Sequence, residues 1–218
     1  MKFQLVFPKW RKLEGQTTFN LPPHGAIVFA ATIPNDFEVE FIDENLEEMR
    51  YDDNVDFVGI SMLLTTQVKR GWAIADEYRK RGKKVIFGGI STMLHAEETM
   101  LHADSVFLGE AEGHMDQVFN DFRKGELKKV YNFMNDLPPI EIVGPARREL
   151  YKRDLYYHKG VQMVDTFHAS RGCKYSCYPC AVSYLGGRNF RPRPVHKVVE
   201  ELATIDNNRL FIVDNSLA

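Results

Sequence analysis

The sequence lacks any hydrophobic run long enough to cross a membrane, and it lacks an excess of charge of either sign. No stretch approaches the roughly 18 apolar residues of a transmembrane helix, and the apolar run within residues 1–8 is too short for a signal peptide. Lys and Arg number 28 against 30 Asp and Glu, a net charge of −2. We therefore expect no integral membrane segment and no nucleic-acid partner.

Cysteine is also scarce, and the three cysteines that are present stand together. Cys173, Cys177 and Cys180 fall within eight residues of a 218-residue chain. An odd number of clustered thiols, with no partner elsewhere, excludes a disulfide framework. Closely spaced free thiols fit a reducing compartment, so we expect a cytoplasmic protein.

The spacing of these cysteines indicates a metal centre, because thiolate sulfur selects zinc or iron–sulfur clusters. A structural zinc site needs four closed ligands, so a histidine such as His168 or His196 would have to complete it. A cubane 4Fe–4S cluster can instead be held by three cysteines, with one iron left free to bind another ligand. The residues alone favour the cluster over zinc, and zinc over a redox or incidental thiol group.

The first 131 residues alternate short apolar strands with amphipathic helices. Strands are predicted at 2–7, 37–43, 56–62, 84–87 and 105–108, and helices at about 68–78, 93–102 and 114–123. The composition, 44 % hydrophobic and 27 % charged, is that of a globular protein with a real core. Alternation of this kind predicts an α/β fold with a doubly wound, Rossmann- or flavodoxin-like parallel sheet.

The rest of the chain divides into two parts. Residues 132–163 contain proline and glycine pairs that break regular structure, which predicts a linker. Residues 164–218 predict a strand at 164–169, the cysteine loop, a helix from 195 to about 205 that follows a proline, and a strand at 210–213. Strand, helix and strand begin a βα barrel, which needs several further units to close. We therefore expect an incomplete barrel and a C-terminally truncated chain.

Loops of small residues follow three of the predicted strands, at 61–66, 88–92 and 109–113. Ligands of doubly wound sheets bind at the carboxyl ends of strands, where glycine permits close approach and hydroxyl groups supply hydrogen bonds. Ordinary strand-to-helix turns explain the same loops equally well. No G-x-G-x-x-G or P-loop motif is present, so a nicotinamide or P-loop nucleotide site is weakly supported.

The cysteine segment resembles the cluster loop of the radical S-adenosylmethionine enzymes. The resemblance lies in the run Ser-Arg-Gly before Cys173, the C-x-x-x-C-x-x-C spacing, and Arg-Pro-Arg-Pro at 191–194. It implies that Cys173, Cys177 and Cys180 hold a 4Fe–4S cluster whose fourth iron binds S-adenosylmethionine. Electron transfer from the cluster then yields a 5′-deoxyadenosyl radical. An electron donor such as flavodoxin or ferredoxin is implied as a partner.

One position departs from that family, and a further contact is implied. The family commonly has an aromatic residue directly before the third cysteine, where this chain has Pro179. Tyr178, one residue earlier, is expected to cover the adenine of S-adenosylmethionine instead. Asp214, just after the last predicted strand, is implied as a contact to the methionyl group.

A second resemblance covers nearly all of residues 1–131. The segments 56–61, 85–89 and 103–110 resemble the cobalamin-binding domain that precedes many radical S-adenosylmethionine domains. The Asp-x-His-x-x-Gly motif that supplies an axial histidine in some members is missing, so we expect cobalamin without a protein histidine ligand, or a domain that has lost it. The implied cobalamin contacts are Ser61, Thr65, Thr66, Gly88, Gly89, Gly109 and Glu110.

Three other polar residues near these motifs also have structural interpretations. His24 is expected to be a surface or capping histidine. Arg191 and Arg193 are predicted either to bind a carboxylate or phosphate through the planar guanidinium, or to pair with Glu200 or Glu201 on the following helix.

Together the resemblances imply a cobalamin-dependent radical S-adenosylmethionine enzyme. Residues 1–131 would form its cobalamin-binding domain, and residues 164–218 would begin its radical S-adenosylmethionine barrel. Its reaction would be reductive cleavage of S-adenosylmethionine, for methyl transfer to carbon of a small-molecule substrate or for a radical rearrangement. The alternative is a non-catalytic cobalamin- or metal-binding protein produced by truncation.

Overall fold

The computed structural model describes residues 1–12, 21–158, 161–162, 165–185 and 189–216. Its largest unit is a six-stranded parallel sheet with the order β2-β1-β3-β4-β5-β6. The strands are β1 (Lys2–Phe7), β2 (Glu38–Asp43), β3 (Phe57–Ser61), β4 (Lys84–Gly88), β5 (Ser105–Leu108) and β6 (Val130–Asn132).

The strand order reverses at β1, which pairs with β2 on one side and β3 on the other. The order 2-1-3-4-5 is that of flavodoxin-like sheets, and such a reversal opens a crevice at the carboxyl edge. The predicted doubly wound parallel sheet is confirmed. Strand β6 was not predicted, because it has three residues and only Tyr131 among them is buried, too short a pattern to detect.

In the part of the chain that the structure describes, five α-helices accompany the sheet: α1 (His24–Ala30), α2 (Val68–Lys80), α3 (Ile90–Leu94), α4 (Ala96–His102) and α5 (Met115–Lys124). The single helix predicted at 93–102 is wrong. Its place is taken by the end of α3 and by α4, which are separated at His95, where φ is −128° and ψ is 40°. Among the described residues no helix is long and apolar enough to cross a membrane.

The sheet separates two hydrophobic cores. Side chains of a strand point alternately to its two faces, so Phe3 and Leu5 of β1 pack with residues of α1 and α5, whereas Val6 packs with residues of α2. Phe3 makes edge contacts with Phe57 and Phe119 at ring-centroid distances of 5.3 and 5.5 Å. The helices therefore cover both faces of the sheet.

The segment after β6 has little regular structure, as predicted for the linker. It contains 3₁₀ turns at Ile140–Ile142, Arg148–Leu150 and Arg153–Leu155. The later elements are β7 (Tyr157–His158), β8 (Val161–Gln162), β9 (Asp165–Phe167), β10 (Ser170–Arg171), α6 (Val182–Leu185), β11 (Arg191–Pro192), α7 (Val195–Ala203) and β12 (Leu210–Ile212).

The C-terminal part contains one parallel β-α-β connection. Strands β9 and β12 pair in parallel, and α7 lies between them in sequence. The predicted strand, helix and strand are present, although Val164, the predicted first residue of the strand, lies outside the described residues. Further barrel strands stay a prediction.

Glu201 of α7 holds this part together through two buried arginines. Its carboxylate lies 2.6 Å from Arg148 Nη1 and 2.7 Å from Arg193 Nη1. The same arginines donate to the backbone oxygens of Thr166 and His168, at 2.7 and 2.8 Å. Of the two roles predicted for Arg193, the pairing with Glu201 is the one observed. The linker, the region of β9 and α7 thus share one buried charge cluster.

We expect Glu201→Ala to destabilise the protein by about 3–5 kcal/mol, because it leaves two buried guanidinium groups without their carboxylate. Urea denaturation measures the effect. The matched control is Glu200→Ala on the exposed face of α7, which should change the free energy of unfolding by no more than about 0.5 kcal/mol. Equal effects of the two substitutions would contradict the assignment.

Candidate functional site

The cysteine loop is closed at its base by two short antiparallel strands. In β10 and β11, Ser170 lies opposite Pro192 and Arg171 opposite Arg191. Gly172 follows with a positive φ of +79°, and a Cβ there would lie only 1.9 Å from the backbone oxygen of Asn189. The glycine of the Ser-Arg-Gly run is therefore required by the close approach of the two chain segments.

The three thiols lie on the outer part of this loop. Cys173 is half-buried, Cys177 and Cys180 are exposed, and none forms a disulfide. The amide of Cys180 donates to the carbonyl oxygen of Cys177 at 2.8 Å, which makes a tight turn between them. Over the described ranges, no three histidine, cysteine, aspartate or glutamate side chains are placed to hold a metal ion. The donor set fits an iron–sulfur cluster in number and chemistry, but its role as ligand stays a prediction.

Tyr178 and Asp214, predicted contacts of S-adenosylmethionine, have different surroundings. The Tyr178 side chain is almost fully exposed beside Cys177. Asp214 accepts hydrogen bonds from the amide of Ala169 at 2.8 Å and from the hydroxyl of Ser170 at 2.6 Å. Each of its two carboxylate oxygens is thus engaged in holding the chain that enters the cysteine loop.

The loop after β5 reaches the base of the cysteine loop through ion pairs. Arg171 Nη1 donates to Glu110 at 2.8 Å and to Glu112 at 3.0 Å, and its Nη2 donates to Glu112 at 2.6 Å. Arg191 also donates to Glu110, and to the backbone oxygen of Pro138 at 3.0 Å. Glu110, predicted as a cobalamin contact, therefore binds two arginines of the cysteine segment.

Glu112 was missed by the sequence prediction. Its side chain is only 7 % exposed. Burial alone would raise the pKa of this carboxyl group, but the hydrogen bonds and charge of Arg171 outweigh burial and lower it. The run Gly-Glu-Ala-Glu-Gly at 109–113 contains two acidic residues, and the sequence prediction assigned a role only to the first, Glu110.

The carboxyl ends of β3 and β4 form the second part of the candidate site. Ser61 lies opposite Gly88 at the last position of the register. The amide of Met62 donates to the oxygen of Gly88 at 2.9 Å, and that of Ser91 to the oxygen of Met62 at 3.0 Å. Gly89 has a φ of +94°, and a Cβ there would lie 2.5 Å from the oxygen of Met62.

The predicted glycines divide into two groups. Gly109, with a φ of +122°, approaches the backbone of Phe133 so closely that a Cβ would lie 2.8 Å from its carbonyl carbon. Gly89 and Gly109 are thus explained by the packing of their own loops. A Cβ on Gly88, in contrast, would meet nothing within 4 Å. Open space above this glycine leaves room for a ligand.

Other groups at this edge suit a large ligand with apolar and polar parts. The buried hydroxyl of Ser91 has no hydrogen-bond partner among the described residues, and buried polar groups are normally paired. Leu63 and Ile90 are exposed, and Thr65 and Thr66 are exposed in the 3₁₀ turn after β3. Ser91 stands in a predicted loop but was not assigned a contact.

His24 and His168 form a buried pair between α1 and the chain after β9. His24 Nε2 lies 2.8 Å from His168 Nδ1, and Thr166 Oγ1 lies 3.3 Å from His24 Nδ1. The expectation that His24 is a surface or capping residue is wrong, because this contact spans 144 residues and leaves no local pattern. His168, a candidate zinc ligand, has one ring nitrogen bound to His24, while His196 lies exposed on α7.

No protein-family model matches the chain, but several curated proteins are similar to it. Bacteriochlorophyllide d C-8(2)-methyltransferase of Chlorobaculum tepidum is 30 % identical over 182 residues, which are 80 % of this chain and 39 % of that protein. The C-12(1)-methyltransferase of the same organism is 28 % identical over 83 % of this chain and 39 % of its own length. Hopanoid C-2 methylase of Rhodopseudomonas palustris is 26 % identical over 90 % and 39 %.

The similarity is to methyltransferases. The chain spans about two fifths of the length of each of these relatives. The aligned residues make up 80 to 90 % of this chain.

We predict that stability falls as the pH drops below about 6.5, because both buried histidines resist protonation. Burial, followed by the charge of Arg148, lowers the pKa of His24 to about 3. Burial, followed by His24, lowers the pKa of His168 to about 2. The unfolded chain binds these protons first, so each histidine lowers the free energy of unfolding by about 2 kcal/mol between pH 7 and pH 5.

Urea denaturation across this pH range measures the effect. The double variant His24→Gln/His168→Gln should show a shallower pH dependence than the parent, whatever its absolute stability. If the free energy of unfolding depended on pH equally in the double variant and the parent, these histidines would be protonated in the folded protein as readily as in the unfolded chain.

Proposed function

We propose that this chain carries the cofactor-binding part of a cobalamin-dependent radical S-adenosylmethionine methyltransferase. The proposal rests on two features that occur together in this structure. Three free cysteines lie on a loop whose base is bound by ion pairs to the β5 end of the sheet. The carboxyl edge of that sheet offers open space above Gly88.

Cys173, Cys177 and Cys180 would hold a 4Fe–4S cluster in this proposal. The cluster, when bound, supplies the electron for reductive cleavage of S-adenosylmethionine. The chain's own contribution is to fix the base of the loop through β10 and β11, while two exposed thiols stay accessible to iron. Asp214 secures the entry to the loop by accepting hydrogen bonds from Ala169 and Ser170.

The carboxyl edge of the sheet would hold cobalamin, which supplies a carrier for the methyl group. Gly88 would leave space for the ligand, and the buried Ser91 hydroxyl, unpaired among the described residues, would have to turn toward it to gain a hydrogen-bond partner. Ser61, Thr65 and Thr66 supply further hydroxyl groups, and Leu63 and Ile90 apolar contacts. Gly89 and Gly109 would shape the loops rather than touch the ligand.

We assign methyl transfer to carbon as the reaction. The names of the relatives specify methylation at the positions C-8(2), C-12(1) and C-2, and the proposal extends this type of reaction to the present chain. In this interpretation the sheet and its helices are the cobalamin-binding domain, residues 132–163 the linker, and residues 164–218 the beginning of a barrel that acts on a small-molecule substrate.

Anaerobic reconstitution with iron and sulfide should load about four irons and four sulfides per chain. We expect Cys177→Ser to abolish the cluster absorbance, because a hydroxyl group is a hard ligand that binds iron of a cluster poorly. The matched control, Ser176→Ala, changes an exposed neighbour on the same loop and should load normally.

Formation of 5′-deoxyadenosine from S-adenosylmethionine by the reduced protein is the accompanying measurement. Unchanged iron loading in a variant that lacks all three cysteines would contradict the cluster assignment. Cluster loading without cleavage would contradict the enzymatic proposal and support a non-catalytic metal-binding protein.

Cobalamin binding should depend on the open space at Gly88. We expect Gly88→Leu to weaken binding of hydroxocobalamin by about tenfold or more, equivalent to about 1.4 kcal/mol, because the new side chain fills only space left for a ligand. Equilibrium dialysis measures the affinity. Gly144→Leu is the matched control, since a Cβ there also meets nothing within 4 Å. Equal binding by both variants, or none by the parent, would contradict the proposed site.

A further inference from the structure

The cysteine loop carries two like charges directly opposite each other at its base. Arg171 and Arg191 are cross-strand neighbours in the β10–β11 register, and like charges at such positions destabilise a strand pair. Both side chains are largely buried, with 20 % and 13 % exposure. The two-stranded base therefore needs carboxylates from elsewhere to be stable.

Those carboxylates come from the loop after β5. Glu112 receives two hydrogen bonds from Arg171, while Glu110 is shared between Arg171 and Arg191. Two positive charges thus face two negative charges. The planar guanidinium of Arg171 reaches both carboxylates at once, a geometry that the point charge of lysine cannot reproduce.

The loop that carries the glutamates is itself firmly shaped. Gly109 and Gly113 flank it with φ values of +122° and +77°, and Gly109 lies against the backbone of Phe133. A residue at either position would need a conformation that side chains disfavour. The backbone that carries Glu110 and Glu112 is therefore held in one conformation at the carboxyl edge of the sheet.

From this arrangement we propose that Arg171, held by Glu110 and Glu112, is a positioning residue for the cysteine loop. It stands two residues before Cys173, and its ion pairs set the orientation of the loop relative to the carboxyl edge of the sheet. The role toward the cluster rests on the proposed function. The mechanical part, that the glutamates order the loop, does not depend on any cofactor.

The variants follow from the contacts. Glu110→Gln/Glu112→Gln keeps the shape of both side chains and removes the two charges that neutralise the arginines. Arg171→Lys keeps the positive charge but removes the planar guanidinium group that reaches both carboxylates. Glu126→Gln, at an exposed glutamate just after α5, is the matched control for loss of an acidic group.

Amide hydrogen exchange of the full chain without iron is the first measurement. We expect exchange across residues 172–181 to accelerate about tenfold in the double glutamine variant and less in Arg171→Lys, with β1 to β4 and the control unchanged. Unchanged exchange in the cysteine loop would overturn the proposal. Acceleration that extends through β1 to β4 would also overturn it, since it would show a general loss of stability.

Electron paramagnetic resonance of the reduced, iron-loaded protein is the second measurement. We expect the change in the cluster signal on addition of S-adenosylmethionine to be weaker in the double glutamine variant than in the parent and the control. An identical change in parent and variant would overturn the role toward the cluster. A parent that takes up no iron would overturn the proposed function alone, because hydrogen exchange tests the ordering of the loop independently.

Discussion

The ion pairs of Arg171 are the interaction on which the placement of the cysteine loop against the sheet depends. The Arg171 guanidinium group forms ion pairs with Glu110 and Glu112, in the loop after β5. The cysteine loop is therefore oriented by the sheet and not by its own two short strands. Strands of two residues contribute few hydrogen bonds. Because Arg191 repeats the connection from the opposite strand, the base of the loop is bound to the sheet on both sides.

A second charge cluster lies in the same C-terminal part of the chain. Glu201 is shared by Arg148 and Arg193, and both arginines also donate to carbonyl oxygens at the end of β9. Buried ion pairs add little net stability, since desolvation opposes the Coulomb attraction, but they are intolerant of the loss of one partner. Two such clusters around one loop favour a single orientation of the C-terminal segment over alternative packings.

Much of the fold was accessible from the sequence because its determinants are local. The strands from Lys2 to Leu108 are short segments rich in apolar residues, three of them followed by loops of small residues. The three cysteines stand close together in the chain, and their spacing alone indicates a metal centre. The partners of Glu112, the burial of His24 and the unpaired hydroxyl of Ser91 were not accessible. Glu112 pairs with Arg171, 59 positions away, and His24 with His168, 144 positions away. The burial of Ser91 depends on the depth of its loop, and none of these features leaves a periodic pattern.

The glycines show how a candidate site can be separated from ordinary turn chemistry. Sequence alone treats Gly88, Gly89 and Gly109 alike, as small residues after strands. Gly89 and Gly109 have positive φ values and press against neighbouring backbone, so packing within the protein already requires them. Gly88 has neither constraint, and the space beside it is filled by no described residue. A glycine that the fold does not need is the stronger indication of a ligand, and Gly88 lies at the carboxyl edge of the sheet, where ligands of such sheets bind.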